Sequence, residues 1–262
     1  MELDLAGKNV LAMASSQGLG AAIAQTLVEE GCNVLLTGRD GEKLETLASR
    51  MGWAATGSVH YVACDLSEPN ASQTLFQAAQ DKLGQVDILI NNTGGPPAGP
   101  VTGPDADSWR AQFDAMVLRI IEITNLCLPG MRKRGWGRVL TLASSGIVQP
   151  IPNLGMSNTL RSALAGWSKT LSNEVAADGV TVNMLLPGRI HTDRVDQLDA
   201  GAASRTNSTI DEVRAKSRAT IPAGRYGKVE EFAAVATFLV SERASYVTGS
   251  QIRCDGGSIK SV

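Results

Sequence analysis

The chain has 262 residues, 43% of them hydrophobic, which is enough for one large α/β domain with a full core. Its formal net charge is −2 and its pI is about 5.8, so the composition does not favour nucleic acid or an anionic membrane as a partner. We expect a cytoplasmic protein, because the N-terminus MELDLAGK has no apolar signal segment, the four cysteines form no CxxC pair, and no apolar run approaches the ~20 residues of a membrane span.

Short apolar runs alternate along the chain with longer helical patterns, which is typical of βαβ units and a parallel sheet. The runs are mostly continuous, as expected for strands that are covered on both faces. They predict strands at Asn9–Ala14, Asn33–Thr37, His60–Cys64, Val86–Asn91, Arg138–Ala143, Thr181–Leu186 and Gln251–Cys254. Apolar residues at helical spacing predict helices at Leu19–Glu30, Glu42–Met51, Asn70–Leu83, Ala106–Arg134, Ser157–Ala177 and Glu230–Ser241. We expect a single α/β domain over residues 1–262.

One long segment, Thr192–Lys228, interrupts this alternation. It is polar and rich in small residues, with a helical pattern only near Ile210–Ala219. It leaves the sheet directly after the carboxyl end of a strand, where ligands bind in open α/β folds. Long excursions in compact domains are usually functional, so we expect a substrate lid over residues 192–228, with a plain surface insertion as the alternative.

The turn after the first strand has the pattern of a dinucleotide site. Its glycines permit a tight turn and close helix–strand packing, and the helix that follows offers unpaired N–H groups to a pyrophosphate. Glycines serve turn geometry alone in many βα turns, but the strand before and the helix after favour the dinucleotide interpretation. The turn residues expected to contact the cofactor are Ala14, Ser16, Gly18, Leu19 and Gly20.

The end of the second strand favours NADP(H) over NAD(H). A carboxylate at this place would bond the ribose hydroxyl of NAD, whereas the guanidinium of Arg39 could pair with a 2′-phosphate. Asp40 is interpreted as the N-cap of the next helix rather than as a ribose ligand. Asp65, after the third strand, could meet the adenine or cap the helix that follows, and these two roles are compatible.

Taken together, the motifs resemble the short-chain dehydrogenase/reductase family over essentially the whole chain, and its 3-oxoacyl carrier-protein reductase branch in particular. The resemblance is carried by Ala14xxxGly18xGly20, Cys64-Asp65-Leu66, Asn91-Asn92-Thr93-Gly94, Pro187-Gly188 and Asp255-Gly256-Gly257. It implies a three-layer, Rossmann-type, doubly wound seven-stranded parallel sheet, a nicotinamide cofactor, no metal, and a homotetramer or homodimer. It also implies further cofactor contacts at Asp65, Leu66, Asn91, Thr93, Gly94, Arg161, Pro187, Gly188, Ile190 and Thr192.

The chain departs from this family at the catalytic tetrad. The family's Asn, Ser, Tyr and Lys fall at Met116, Ser144, Ser157 and Arg161, so only the serine is kept. A serine hydroxyl is a far weaker acid than a phenol of pKa near 10, and an arginine cannot shuttle a proton at neutral pH. The first glycine of the phosphate turn is also replaced, by Ala14, whose methyl group stands where backbone should approach phosphate.

Another residue could supply the proton. His191 follows the Pro187-Gly188 motif near the expected nicotinamide and titrates near neutrality, although an exposed loop histidine is the alternative. Tyr61 is expected in the core and Tyr226 at the end of the lid. Arg189 could meet an anionic substrate or be a surface residue.

The candidate catalytic residues are therefore Ser144, Ser157, Arg161 and His191, and the proline- and glycine-rich loop Gly94–Pro100 is expected to wall the substrate cavity. The leading hypothesis is an enzyme: an NADP(H)-linked oxidoreductase that acts on a small carbonyl/alcohol substrate through an atypical proton pathway. Losing general acid–base catalysis costs typically ~10²–10⁴-fold, which slows hydride transfer without abolishing it. The alternatives are a cofactor-binding protein of the same fold that has lost dehydrogenase activity, with a regulatory role, and a partner subunit of an active paralogue.

Overall fold

The computed structural model describes residues 2–53 and 56–261, so both ends of the predicted domain, residues 1 and 262, lie outside the described residues. The strands are β1 (Asn9–Ala12), β2 (Asn33–Gly38), β3 (Val59–Ala63), β4 (Ile88–Asn91), β5 (Gly137–Leu142), β6 (Val180–Pro187) and β7 (Gln251–Cys254). They form one seven-stranded sheet in the order β3-β2-β1-β4-β5-β6-β7. Every pairing is parallel, which confirms the predicted doubly wound Rossmann-type sheet.

The helices are α1 (Gly18–Glu29), α2 (Gly41–Gly52), α3 (Ala71–Leu83), α4 (Ala106–Phe113), α5 (Arg119–Arg134), α6 (Gly155–Val175), α7 (Asp193–Thr206), α8 (Ile210–Ala219) and α9 (Val229–Leu239). A π-helical turn, Asp114–Leu118, joins α4 to α5. The Asp40 carboxylate accepts a hydrogen bond from the Lys43 backbone N–H at 3.0 Å, which confirms it as the N-cap of α2. No helix among residues 2–53 and 56–261 is long and apolar enough to cross a membrane.

Helices cover both faces of the sheet, which makes three layers. On one face α1, α2 and α9 bury Ile23, Leu44 and Phe232 against the strands. On the other face α3, α5 and α6 bury apolar side chains against the strands. Successive residues of β1, Val10 and Leu11, belong to opposite clusters, which explains why the strand sequences are continuously apolar. Each fully buried Leu or Ile contributes about 1.5–3 kcal/mol to folding.

The sequence-based boundaries need three corrections. β1 ends at Ala12 rather than Ala14, because Ala14 turns into the left-handed region with φ 44°. The single helix predicted from Ala106 to Arg134 is two helices with the π-helical turn between them. The segment predicted as a mostly irregular lid contains a second helix, α7, whose alanine-, glycine- and serine-rich sequence has no apolar stripe.

The sheet changes its direction of winding between β1 and β4, which pair with each other although β2 and β3 separate them in sequence. The connections that leave these two strands run to opposite faces, so a crevice opens at their carboxyl ends. The candidate site lies in this crevice.

The four cysteines are free thiols, and burial sets their expected reactivity. Burial raises the pKa of Cys32 and that of Cys127 to about 12, so almost no thiolate forms at pH 8. We predict that iodoacetamide leaves these two cysteines unlabelled in the native protein, whereas the half-buried Cys64 and Cys254 are labelled first. Peptide mass spectrometry measures the labelling, with urea-unfolded protein as the control; native labelling of Cys127 at the rate of Cys64 would contradict this.

Candidate active site

A cavity of about 980 Å³ occupies the crevice. Its walls are the turn after β1, the ends of β2 and β3, the loops after β4, β5 and β6, one face of α6, and the first turn of α7. This volume lies at the upper end of the range for small-molecule sites, and the location is the one at which open α/β sheets bind ligands.

The turn after β1 is held in place by two neighbouring strands. The Ala14 N–H donates to Thr37 Oγ1, and the Ala14 carbonyl accepts from Asn92 Nδ2, each at 3.0 Å. A methyl group on Gly20 would lie 2.6 Å from the Ala14 carbonyl oxygen, so only glycine lets α1 approach the turn this closely. Ala14 keeps its left-handed conformation because these contacts fix it from both sides.

Most residues expected to contact a cofactor line this cavity. They are Ala14, Ser16, Gly18, Leu19, Arg39, Asp65, Leu66, Thr93, Gly94, Arg161, Pro187, Gly188, Ile190 and Thr192. Two expected residues lie behind the wall instead: Gly20 packs against the turn, and Asn91 donates through Nδ2 to Thr124 Oγ1 in the core at 3.0 Å. Asn92, the second residue of the Asn91–Gly94 motif, lines the cavity, whereas Asn91 does not.

The cavity wall fits a dinucleotide that carries an additional phosphate. A methyl group built on Gly94 would meet no atom within 4 Å, so backbone there borders open space that a ligand can fill. Arg39 is exposed at the end of β2, beside Asp65. Hydrogen bonds from the Ser67 backbone and hydroxyl lower the pKa of Asp65, and the Arg39 charge lowers it further. Asp65 is an acceptor in this loop and does not cap α3, which begins after Asn70.

Ser144 stands at the end of β5 with its hydroxyl hydrogen available. Its Oγ accepts a hydrogen bond from the Gly146 backbone N–H at 3.0 Å, as the N-cap of the short 3₁₀ turn Ser145–Ile147. A hydroxyl has one hydrogen and two lone pairs, so this bond fills one acceptor position and leaves the hydrogen to be donated into the cavity.

Arg161 lies on the same face of α6 as Ser157, and both line the cavity together with Met116. The arginine is buried, and its Nη1 donates to the Leu142 carbonyl at 2.9 Å. Burial, together with the positive charge of Arg194, lowers the pKa of Arg161 to about 10. The guanidinium is therefore still positively charged at neutral pH, on the wall beside Ser144.

The connection from β5 to α6 is held by Asn158, one residue after Ser157. Asn158 Nδ2 donates to the Ile151 carbonyl at 2.9 Å, and its Oδ1 accepts from the Ile151 backbone N–H at 3.3 Å. The Gly94–Pro100 loop is fastened to the same region, since the Gly99 N–H donates to the Asn153 carbonyl at 2.7 Å. Of this loop, Gly94 and Gly95 reach the cavity wall.

His191 does not line the cavity. Its side chain is 64% exposed, and its Nε2 lies 3.4 Å from an oxygen of Asp196. This geometry does not favour His191 as the proton donor to a ligand in the cavity. Tyr61 is exposed on β3 rather than buried in the core, because β3 is the edge strand of the sheet.

The side chains of the lid gather around Asp199, which is fully buried. Arg189 Nη1 pairs with Asp199 at 2.7 Å, and the Tyr226 hydroxyl lies 3.0 Å from its other oxygen. Burial raises the pKa of the Tyr226 phenol. Arg189 lines the cavity but is paired with Asp199, and Tyr226 serves the packing of this segment.

Arg194 is a cavity residue that sequence reasoning did not select. It lies in the first turn of α7 and lines the cavity, and its Nη2 donates to the Pro96 carbonyl at 2.8 Å. Nothing in the sequence marked it, because the segment has no apolar stripe to predict the helix that aims this side chain at the site.

Comparison with known proteins shows what this chain is similar to. A family model described as enoyl-(acyl carrier protein) reductase matches residues 13–258. The chain is 30% identical to the 3-oxoacyl-[acyl-carrier-protein] reductase FabG of Salmonella typhimurium over 253 residues, which cover 96% of this chain and 97% of that protein. It is also 30% identical to the NADPH-dependent reductase BacG of Bacillus subtilis, over 97% of this chain and 99% of that one. The crystal structure of L-sorbose reductase from Gluconobacter frateurii, complexed with NADPH and L-sorbose, superimposes with a TM-score of 0.94 at 29% identity, covering 100% of both chains.

The left-handed backbone at Ala14 generates a stability prediction. This conformation costs a non-glycine residue about 1–2 kcal/mol, whereas the extra freedom of glycine in the unfolded chain offsets about 0.4–1 kcal/mol. Ala14→Gly should therefore raise the free energy of unfolding, by up to about 1.6 kcal/mol, as measured by urea denaturation. The matched control is Ala200→Gly, at an exposed position inside α7, which should lower it by about 0.5–1 kcal/mol. A loss of stability in Ala14→Gly would show that the methyl group's packing outweighs the strain.

Proposed function

The chain belongs to the short-chain dehydrogenase/reductase family, and from this premise we propose that it is an NADP(H)-linked oxidoreductase that interconverts a carbonyl and an alcohol without a tyrosine as the acid. The single observation that carries the proposal is the buried, positively charged Arg161 on the cavity wall beside Ser144. The bound cofactor supplies or accepts the hydride.

The chain's own residues would stabilise the oxygen that becomes negative as a carbonyl is reduced. Ser144 can donate its hydroxyl hydrogen to that oxygen. One N–H group of Arg161 donates to the Leu142 carbonyl, and its remaining N–H groups can face the ligand. A fixed cation and a fixed hydroxyl stabilise developing charge without reorganising, which is usually the largest single contribution to catalysis.

Proton transfer to the substrate oxygen is the step for which this chain has no tyrosine at the family's position. Ser157 is only partly buried and lines the cavity, so its hydroxyl can relay a proton from a water molecule rather than serve as the acid itself. Met116, at the position where the family has asparagine, offers no donor. We therefore propose that solvent supplies the proton through Ser157 while Arg161 lowers the energy of the alkoxide that accepts it.

Arg39, exposed at the end of β2, carries the proposed choice of NADP(H). Its guanidinium would bind the 2′-phosphate, and no carboxylate within β2 itself competes for it. The phosphate turn from Ala14 to Gly20 would hold the pyrophosphate at the N-terminus of α1. Similarity to relatives described as NADPH-dependent supports the same choice.

The lid and the assembly complete the proposal. Residues 192–228 would cover the substrate, because residues of α7 and α8 line the cavity.

A homodimer or homotetramer is proposed from the family, and the exposed Phe113 on α4, beside Trp109 and the face of α6, is compatible with it.

A second candidate function has its own observation. Met116 and Ser157 leave the reaction end of the cavity without a side chain that releases a proton near neutral pH. A protein that binds the cofactor for a regulatory purpose, or as the partner of an active subunit, would keep the cavity and lose turnover.

Replacing Arg39 tests the cofactor. Arg39→Gln should raise the Kd for NADPH about 10- to 100-fold, the loss of a charge-assisted hydrogen bond, while the Kd for NADH stays the same. The control is Arg50→Gln, at an exposed position in α2 away from the cavity, which should change neither value. Calorimetric titration measures both; equal weakening of NADPH and NADH would contradict a role for Arg39 at the 2′-phosphate.

Restoring the family's acid tests the proton pathway. NADPH consumption is followed with a panel of ketones, quinones and 3-oxoacyl thioesters, first in the natural protein and then in Ser157→Tyr with Arg161→Lys. We expect slow turnover in the natural protein and a gain in kcat of about 10²-fold or more in the double variant, the size of a general acid's contribution.

The matched control for this double variant is Ser157→Phe with Arg161→Lys, which fills the same space without the hydroxyl. An equal gain in kcat in both variants would show that the phenol is not the source of that gain. Turnover only in the tyrosine variant, with none in the natural protein, would favour the second candidate function.

A further inference from the structure

Two arginines face the reaction end of the cavity without a carboxylate of their own. Arg161 is 8% exposed, and Arg194 also lines the cavity. Among the ion pairs of residues 2–53 and 56–261, neither arginine takes part in one. After burial, the positive charge of Arg194 is the second cause that lowers the pKa of Arg161.

Two other arginines in and beside the lid are paired with carboxylates of α7. Arg189 binds the buried Asp199 at 2.7 Å, and Arg214 binds Asp196 at 2.6 Å. Both acidic residues are on α7, in the same helix as Arg194. The lid therefore has carboxylates near at hand, and its arrangement leaves Arg194 directed at the cavity rather than at one of them.

Both unpaired charges are unfavourable in the free protein. A buried cation without a counter-ion keeps a desolvation cost that an ion pair would offset. A cation in the first turn of a helix opposes the helix dipole, and Arg194 stands in the first turn of α7. An anion that enters between the two arginines removes both penalties.

Arg194 is held in position to receive such an anion. Its Nη2 is bound to the Pro96 carbonyl at 2.8 Å, and its guanidinium lies against Gly95, where a methyl group would come within 3.5 Å of Nη2. This contact fixes the planar group on the loop after β4 and engages one of its five donors. A guanidinium held in this way presents a fork that matches a carboxylate.

We propose that the substrate is a carbonyl compound that bears its own carboxylate, which Arg194 binds while Arg161 faces the carbonyl oxygen. This inference rests on the proposed function and adds the substrate class to it. The competing anion is the cofactor pyrophosphate. Arg194 lines the same cavity as Arg161, Ser144 and Ser157, which favours the substrate.

The test compares three oxo acids with their neutral analogues. Pyruvate, acetoacetate and levulinate and their methyl esters are offered with NADPH to the natural protein, to Arg194→Gln, and to Arg205→Gln. The last is the matched control, an exposed arginine in the last turn of α7 that does not line the cavity. The readouts are kcat and KM for acid and ester, the Kd of NADPH, and calorimetric binding of each carboxylate to the protein saturated with NADP⁺.

We expect the natural protein to prefer at least one acid over its ester. In Arg194→Gln the KM for that acid should rise about 10- to 100-fold, and the acid-to-ester ratio of kcat/KM should fall by the same factor. Arg205→Gln should keep the ratio of the natural protein. An unchanged ratio in Arg194→Gln would overturn the inference, as would a tenfold rise in its Kd for NADPH with acid and ester affected alike, which would assign Arg194 to the pyrophosphate.

The binding readout separates this inference from the proposed function. If neither acids nor esters are turned over, but a carboxylate binds the NADP⁺ complex and Arg194→Gln weakens that binding, the anion site stands and the enzymatic proposal fails. If esters and neutral ketones are turned over while no acid is preferred or bound, the enzymatic proposal stands and the anion site fails.

Discussion

The hydrogen bond from Asn92 Nδ2 to the Ala14 carbonyl joins the two turns between which the sheet changes its direction of winding. One turn follows β1 and the other follows β4, and the cavity opens where they meet. The bond from the Ala14 N–H to Thr37 ties β2 into the same point. Because three adjacent strands converge there, the position of every cavity wall depends on this junction, and a left-handed alanine is tolerated within it.

Electrostatics at the reaction end distinguish this site from one built around a phenol. Burial and Arg194 lower the pKa of Arg161 to about 10, yet the group keeps its charge at neutral pH. The cavity therefore offers charge stabilisation from Arg161 and a directed hydroxyl from Ser144, and neither Met116 nor Ser157 adds an acidic group to them. Chemistry in such a site depends more on holding a developing negative charge than on general acid catalysis.

The segment of residues 192–228 is organised by a buried carboxylate rather than by an apolar core. Asp199 is fully buried, and Arg189, Arg214 and Tyr226 converge on it from three parts of the chain. Buried charges of this kind hold one arrangement strictly, because any other leaves them unpaired. Within this network, His191 lies on the outside next to Asp196, and Arg194 faces the cavity.

The amino-acid sequence by itself determined the sheet, the turn glycines, the N-cap at Asp40 and the placing of Ser144, Ser157 and Arg161 on one site, because these follow from local periodicity and from motif spacing. It did not determine α7, whose small residues show no periodicity and which forms through packing around the lid's buried carboxylate. It also could not show that Arg161 lacks a counter-ion or that Arg194 lines the same cavity. Pairing of charges is decided by side chains that are distant in sequence, so only the tertiary structure settles which arginines are left for a ligand.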